Sequence, residues 1–333
     1  MVTGKLPNEL LEEVVLKYIT HRRDDIIAGA AVGLDNALVD LGDNVAILST
    51  DPITGAVKDI GKLAVHVSCN DVSASGGTPI GILMTILVPP EASHEDIERI
   101  MKDAGETARE LDVEIIGGHT EVTDAVNKVV ISTTVIGKIK KDKIQSLDKI
   151  RIGDKVLMTK STGLEGTSIL LNDFEDYFSD KMEIAKIKEG QDYGRHLSVV
   201  EEGKIGGQVG LNYMHDITEG GVLGAAWEAN MAIKKGLKLY KNSIPITEVT
   251  RELCEILDIN PLRLISSGSM LMIANNEQLE VLERELEESG IKLSVIGEVI
   301  DEGIYLDNDG SMEIIDPPQA DELYRALAKL NGK

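Results

Sequence analysis

Strand-like apolar runs alternate with helix-like segments along this chain, and the alternation begins twice. In the first half, the apolar runs cover residues 45–50, 80–88, 113–116 and 129–137. A polar, lysine-rich stretch at 138–148 follows, and the pattern restarts at 155–159. Because 333 residues exceed what one core usually serves, we predict an α+β (α/β-like) fold in two domains, residues 1–145 and 150–333.

Local signals indicate individual elements. Ser93 is followed three residues later by Asp96, which is the pattern of a helix N-cap, and this helix is expected to reach about Leu111. In the second half, we expect helices from Gly166, at 221–230 and at 277–289. The strands expected there cover residues 155–159, 213–217, 270–274 and 293–299.

The charge of the chain limits its partners. The formal net charge is −23, spread along the sequence, and aromatic residues make up only 3%. This field repels nucleic-acid phosphate and anionic membrane, so we expect no nucleic acid and no membrane as a partner. Two cysteines without a CxxC pair indicate neither a zinc site nor a disulfide framework. We expect a cytoplasmic protein, since there is no signal-peptide pattern and no apolar run near the ~20 residues of a membrane helix.

Four polar segments of the first half are candidates for phosphate chemistry, because they lie at or near the ends of apolar runs. They contain Asp35, Asp51, Asn70 with Asp71, and the run Gly117-Gly118-His119-Thr120. Carboxylates from several elements that are aimed at one point commonly hold Mg²⁺ beside phosphate. Asp71 lies in a predicted apolar helix, 62–75, and must have a partner if it is buried.

These segments also have a purely structural interpretation. Asp35 and Asp51 are typical turn residues that bond their own backbone, and a glycine pair is an ordinary turn former. A single histidine such as His119 is more often a hydrogen-bonded surface residue than a ligand or a base. Neither a Walker A pattern nor a GxGxxG pattern occurs in the chain.

Three polar loops of the second half are candidates for a phosphate or substrate surface. They are 162–168, which contains Gly166 and Thr167, 215–221, which contains Asp216, and 266–269. The first two connect a strand to a helix, where backbone N–H groups at the helix N-terminus favour anions. The alternative is that all three are capped turns, since Thr, Asp and Gly are the usual residues there.

In order along the chain, these segments resemble the family of aminoimidazole-ribotide (AIR) synthase, HypE, thiamine-monophosphate kinase and selenophosphate synthetase. The overall pattern is most similar to HypE and to AIR-synthase-related proteins. The segments 60–79 and 215–228 are the most specific. The matching segments are GLDNALV (33–39), STDPI (49–53), IGKLAVHVSCNDVSASGGTP (60–79), GGHTEV (117–122), GLEGTSIL (163–170), HDITEGGVLGAAWE (215–228) and SSGSMLM (266–272).

The resemblance implies a PurM/HypE-like fold, with an N-terminal domain that closes a β-barrel with its copy in a homodimer and a C-terminal α+β domain. It implies ATP bound between the domains, and Mg²⁺ held by Asp35, Asp51 and Asp71. It implies a small-molecule or protein-borne acceptor. We assign Asp71 to catalysis, and also His119, which we expect to contact the phosphate or the acceptor. The residues that the resemblance places at the nucleotide are Asp35, Asp51, Lys62, Asn70, Gly117, Gly118, Thr120, Gly166, Thr167 and Asp216.

Three departures from the family pattern affect this interpretation. Leu34-Asp35 stands where relatives often carry an acidic pair, and His119 replaces an acid after the glycine pair. HypE ends in a Pro-Arg-hydrophobic-Cys tail whose thiol receives the carbamoyl group, whereas residues 325–333 read RALAKLNGK. We expect an ATP- and Mg²⁺-dependent enzyme that activates an amide-type oxygen or phosphorylates a small acceptor, but not by the HypE route. The alternatives are a catalytically weakened, nucleotide-binding maturation partner or a kinase like the thiamine-phosphate enzyme.

Overall fold

The computed structural model describes residues 6, 8–32, 34–53, 59–318 and 320–332. Gly33, the first residue of the first matching segment, lies outside the described residues. The chain divides into two compact units, Met1–Ile144 and Gln145–Lys333. The functions expected of these domains, nucleotide binding and dimerisation above all, stay predictions.

The first unit is a six-stranded sheet with helices. The strands are β1 (Ile26–Ala28), β2 (Ala37–Asp40), β3 (Asn44–Ile53), β4 (Thr78–Val88), β5 (Glu114–Val122) and β6 (Val130–Lys140). The helices are α1 (Asn8–Val14), α2 (Ile60–Ala74) and α3 (His94–Glu110). The sheet order is β1-β2-β3-β6-β4-β5. Neighbouring strands are antiparallel, except that β4 and β5 are parallel.

One face of this sheet carries the core of the unit. Side chains alternate along a strand, and the inward positions of β3, β4 and β6 hold buried residues such as Ile47, Ile82 and Val135. Helix α2 packs on this face, and α3 packs on α2 at Gly61, where a Cβ atom would lie 2.2 Å from the Ile100 carbonyl oxygen. On the other face, side chains such as Leu83 remain substantially exposed.

The expected N-cap of α3 is confirmed, and the expected end of β5 is wrong. Ser93 and Asp96 form a reciprocal capping box at the start of the helix. Strand β5 does not stop at the glycine pair but continues through His119 to Val122. The reason is that β4 runs unusually close to it: a Cβ atom on Gly118 would lie 1.9 Å from the Met84 carbonyl oxygen. The glycine therefore permits strand contact here instead of making a turn.

The second unit is a seven-stranded sheet with eight helices among its described residues. The strands are β7 (Lys155–Thr159), β8 (Tyr213–Ile217), β9 (Gly236–Tyr240), β10 (Ser269–Ala274), β11 (Leu293–Ile300), β12 (Ile304–Asn308) and β13 (Ser311–Ile314). The helices are α4 (Leu164–Asp173), α5 (Glu175–Phe178), α6 (Ile184–Asp192), α7 (Val200–Val209), α8 (Gly221–Ile233), α9 (Glu248–Leu257), α10 (Asn276–Glu288) and α11 (Glu322–Leu330). The sheet order is β13-β12-β9-β11-β7-β10-β8, in which only the β9–β12 pair is parallel.

Two apolar clusters stabilise the second unit. In the first, α8 packs on the sheet through residues such as Val222 and Ala226. In the second, α4, α6, α9 and α11 pack together around side chains such as Phe178 and Leu253. Within the described ranges, no helix is both long enough and apolar enough to span a bilayer.

Candidate functional site

Two of the predicted metal-binding carboxylates in the first unit share one hydroxyl group. The Ser49 hydroxyl donates a hydrogen bond of 2.5 Å to Asp71 Oδ2 and lies 3.5 Å from Asp51 Oδ2. Ser49 and Asp51 project from the same face of β3, and Asp71 meets them from α2, where it is only 5% exposed. The Ser49 hydroxyl and the two carboxylates thus bring several oxygen atoms to one place on the sheet face that α2 covers.

The third carboxylate, Asp35, is tied to the same end of α2 through its neighbour. The Asn36 side-chain amide donates to the Asp71 carbonyl oxygen at 2.7 Å and to Ser75 Oγ at 3.0 Å. Asp35 itself is exposed, whereas Asn70 is fully buried inside the helix layer. In the part of the chain that the structure describes, no three His, Cys, Asp or Glu side chains form a group that holds a metal alone.

Strand register places Asp51 and Gly118 in one row across the sheet. Asp51 pairs with Thr133 of β6, Thr133 with Met84 of β4, and Met84 with Gly118 of β5. Three strand spacings of about 4.8 Å separate the ends of this row by about 14 Å. Thr133 is fully buried on the face that α2 covers, so the row faces the helix. Thus Asp51 and Gly118, which are 67 residues apart in sequence, lie in one row of paired residues on the same face of the sheet.

His119 is not brought to Asp71, although we predicted that both residues act in catalysis. It follows Gly118 on β5, so the alternation along a strand places it on the opposite face from the Asp51 row. Its side chain is 65% exposed, and Nε2 lies 3.2 Å from Glu121 Oε2 on the same face. The structure therefore favours the interpretation of His119 as a hydrogen-bonded surface histidine. Thr120, one residue further, is also exposed.

Lys62 lies near the other end of α2. It is half-buried and precedes Asp71 by nine residues, which corresponds to about 14 Å along the helix axis. Lys62 is therefore a separate positive charge on the element that carries Asp71, and it lies too far from Asp71 to form an ion pair with it.

The three candidate loops of the second unit lie side by side, at the same end of the adjacent strands β7, β10 and β8. Strand β10 is antiparallel to both β7 and β8, and its first residue, Ser269, pairs with Ile217 at the end of β8. The loop before β10 therefore lies beside the loops that follow β7 and β8. The sequence separates these loops by about 50 residues each, and the sheet brings them together.

The predicted ligand groups in these loops are, however, used within the protein. The Gly163 N–H donates to Ser266 Oγ at 2.8 Å, and the Gly166 N–H donates to the Ile265 carbonyl oxygen at 3.1 Å. Thr167 is fully buried, with its hydroxyl 2.8 Å from that of Thr250. In the loop 162–168 these groups are bonded as the capped-turn interpretation expects.

Asp216, the third predicted ligand residue of the second unit, is likewise enclosed. It lies within β8 and is only 2% exposed. Gly166, Thr167 and Asp216 therefore do not present groups to a ligand in this conformation, and we omit them from the proposed site.

The end of the sheet where these three loops lie also contains three charged residues that the sequence analysis did not identify. Lys160 has a left-handed backbone, with φ of 54°, and its Nζ lies 2.6 Å from Glu202 Oε1. Glu165, in the first turn of α4, is buried, and burial raises the pKa of its carboxyl to about 7. Asp321 caps α11, and burial raises the pKa of its carboxyl to about 6. Only Asp321, placed before the amphipathic run 322–330, carried a usable signal, that of an N-cap.

The two cysteines lie in apolar surroundings. Cys69 is fully buried in α2, and its pKa is raised to about 12, mainly by burial and further by the charge of Asp71. The pKa of Cys254 is also raised to about 12 by burial, with smaller contributions from Glu322 and Glu255. Both thiols therefore stay protonated at neutral pH and lack the thiolate that a nucleophile requires.

Two family models together match most of the chain. The first is described as AIR synthase related protein, N-terminal domain, and it matches residues 33–139. The second is described as AIR synthase related protein, C-terminal domain, and it matches residues 151–307. Each match falls within one of the two compact units.

Individual relatives match over most of their length. A putative hydrogenase expression/formation protein of Methanocaldococcus jannaschii is 30% identical over 97% of this chain and 96% of its own. The carbamoyl dehydratase HypE of Escherichia coli K12 is 26% identical over 86% of each chain. A crystal structure of the hydrogenase maturation protein HypE in complex with ATP has a TM-score of 0.72 at 24% identity and covers 97% of each chain. The predicted two-domain, PurM/HypE-like α+β fold is confirmed, and the chain belongs to the family of AIR-synthase-related proteins.

Proposed function

We propose that this protein is an ATP- and Mg²⁺-dependent enzyme that phosphorylates an amide-type oxygen or a small acceptor. The observation that carries the proposal is the pair of carboxylates, Asp51 and Asp71, that share the Ser49 hydroxyl at the sheet of the first unit. Two carboxylates that meet at one hydroxyl, one of them half-exposed, are oxygen donors of the kind that hold a divalent cation. The family relation supports the nucleotide, because a HypE of this fold was crystallised in complex with ATP.

The residues present fit Mg²⁺ rather than a softer metal. Mg²⁺ prefers oxygen donors and is usually held by one or two carboxylates together with substrate phosphates. Asp51 and Asp71 would supply those carboxylates, and Asp35 lies on the segment that Asn36 ties to the same helix end. When bound, the ion would neutralise phosphate oxygens and orient the transferred group.

Other residues of the first unit would bind and orient the nucleotide. Gly118 lies in the same sheet row as Asp51, and Gly117 precedes it, so neither residue adds a side chain to this strand segment. Lys62 would offset the phosphate charge, which the net charge of −23 otherwise repels. We keep Thr120 in the site as an exposed hydroxyl next to this segment, and we assign His119 no role in the reacting centre.

A screen of candidate acceptors tests this proposal. The purified protein would be incubated with Mg-ATP and one acceptor at a time: a carbamoylated peptide, thiamine monophosphate or formylglycinamidine ribotide. We expect one of them to stimulate ADP release, and the Asp71→Asn variant to abolish the stimulation. The matched control is Asp43→Asn, which changes an exposed acid in the β2–β3 turn of the same unit. Mg-ATP binding without turnover would favour the weakened maturation partner.

We also infer that the enzyme acts as a homodimer. The face of the first sheet opposite to α2 presents apolar side chains, including Leu83, which is 39% exposed. A second copy placed against this face would cover them and would close the barrel that the family resemblance implies.

A further inference from the structure

The segment that carries Asp35 is held to helix α2 by the side chain of the next residue, Asn36. Its amide nitrogen Nδ2 donates to the Asp71 carbonyl oxygen at 2.7 Å and to Ser75 Oγ at 3.0 Å. The orientation of this amide is fixed, because a carbonyl oxygen can only accept and therefore faces the NH₂ group and not Oδ1. One side chain thus spans 35 and 39 residues of sequence to reach the C-terminal end of α2.

The bonds of Asn36 are not required to complete the end of α2. The Asp71 carbonyl oxygen also accepts from the Ser75 N–H at 3.3 Å, which is the regular bond between residues four apart in a helix. Oδ1 of Asn36 is buried and has no donor among the residues that the structure describes. Because a buried oxygen without a donor destabilises a folded protein, this amide contributes less to stability than its two bonds alone would.

The contact does fix two of the proposed metal ligands relative to each other. Asp35 and Asn36 precede Ala37, the first paired residue of β2, so the strand ladder does not include them. Asp71 is held at its backbone by Asn36 and at its carboxylate by the Ser49 hydroxyl. The separation between the Asp35 segment and Asp71 therefore depends on the amide of Asn36.

We propose that Asn36 is a positioning residue of the metal site, whose amide sets the separation of Asp35 and Asp71 that Mg²⁺ requires. The inference rests on the proposed function, in which these carboxylates hold the ion beside a nucleotide phosphate. Mg²⁺ demands near-ideal octahedral geometry, so ligands that are already in place bind it more tightly. Without the amide, part of the binding free energy is used to order the Asp35 segment against α2.

Titration calorimetry with Mg-ATP on the full chain tests this role. Asn36→Ala removes both hydrogen bonds together with the buried Oδ1. We expect the Kd of Mg-ATP to rise about tenfold, while the Tm without nucleotide stays within about 2 °C of the wild type. The matched control is Asn44→Ala, which changes an exposed asparagine at the start of β3 and should leave the Kd unchanged.

A double-mutant cycle shows whether Asn36 acts through Asp71. The positioning role matters only while both carboxylates are present. In Asp71→Asn, the further change Asn36→Ala should therefore weaken Mg-ATP binding by less than about threefold. Asn36→Asp is a second variant of nearly the same shape, which replaces the donor by an acceptor facing the Asp71 carbonyl oxygen. It should weaken binding about as much as Asn36→Ala, although it adds a carboxylate.

The outcomes separate this inference from the proposed function. If Asp71→Asn weakens binding but Asn36→Ala binds Mg-ATP like Asn44→Ala, only the role of Asn36 is refuted, and a lower Tm would then make it a structural residue. An equal tenfold loss with and without the Asp71 carboxylate would refute the action through Asp71. Tighter binding by Asn36→Asp would make residue 36 a ligand position and contradict a positioning role. Normal binding by Asp71→Asn would overturn both the inference and the proposed site.

Discussion

Replacing Asp71 with asparagine separates a metal-binding role from a structural one, because the two roles predict opposite changes in the stability of the nucleotide-free protein. Asparagine has nearly the same shape, and its Oδ1 can still accept the hydrogen bond from Ser49. The substitution therefore removes the charge and little else. If Asp71 is a metal ligand, the free protein loses a repulsion with Asp51. If it is a structural acid, the free protein loses a charge-assisted hydrogen bond.

The magnitudes distinguish these cases. Two unit charges about 4 Å apart repel by about 1 kcal/mol in water and about 4 kcal/mol at an effective dielectric constant of about 20. A hydrogen bond to a charged group contributes about 1.5–3 kcal/mol, and a neutral one about 1 kcal/mol. The metal role predicts a free protein at least as stable as the wild type. The structural role predicts a loss of about 0.5–2 kcal/mol, or a Tm lower by about 1–8 °C.

Binding should change far more than stability. One unit charge acting on the metal-phosphate group at about 4 Å is equivalent to about 4 kcal/mol, or about 1,000-fold in Kd, before the desolvation of the carboxylate is subtracted. We expect Mg-ATP binding to weaken by at least about 100-fold. Titration calorimetry with Mg-ATP and thermal unfolding without nucleotide measure the two quantities on the same sample. An unchanged Kd in a folded Asp71→Asn protein would refute the site.

Three further predictions concern the dimer, the thiols and His119. Sedimentation equilibrium should give two 36.1-kDa chains at micromolar concentration, and Leu83→Asp should give one; a wild-type monomer throughout that range would contradict the homodimer. A variant with both Cys69→Ala and Cys254→Ala should keep its ATP turnover per folded molecule, because both thiols have pKa values of about 12; complete loss of turnover in a folded protein would reveal a covalent thiol step. His119→Asp should leave the Kd of Mg-ATP within about threefold, and a larger change in calorimetry would return His119 to the site.

Short-range patterns predicted the elements whose signals are local. Strands β7 and β8 have the bounds expected from their apolar runs, 155–159 and 213–217, and the Ser93 cap is formed as expected. These features depend on residues a few positions apart, so the sequence contains the information directly. The pattern around Asp71 was also informative, since a carboxylate among apolar residues requires a partner, and that partner is Ser49.

Other features depend on contacts between distant segments. The glycine pair continues β5 because of the close approach of Met84, which no local pattern shows. That continuation also decides which face His119 takes. In the second unit, the N–H group of Gly166 is bonded to Ile265, about 100 residues away, so an apparent anion site at a helix N-terminus is already filled. The sequence shows where such N–H groups occur but not which of them already donate a hydrogen bond within the folded protein.

The acids Asp51 and Asp71 of the first unit and the acids Asp321 and Glu165 of the second unit differ in their surroundings. This difference distinguishes a proposed ligand site from a structural contact. Asp321 has three N–H donors, and burial gives the neighbouring Glu165 a pKa of about 7, so donors and protons largely balance the second unit. Asp51 and Asp71 both lie within reach of the Ser49 hydroxyl, and Asp51 is half-exposed. We therefore propose that the cation binds at Asp51 and Asp71 and not at Asp321. Neutralising Asp71 should therefore weaken Mg-ATP binding by at least about 100-fold, whereas neutralising Glu165 should leave the Kd of Mg-ATP unchanged.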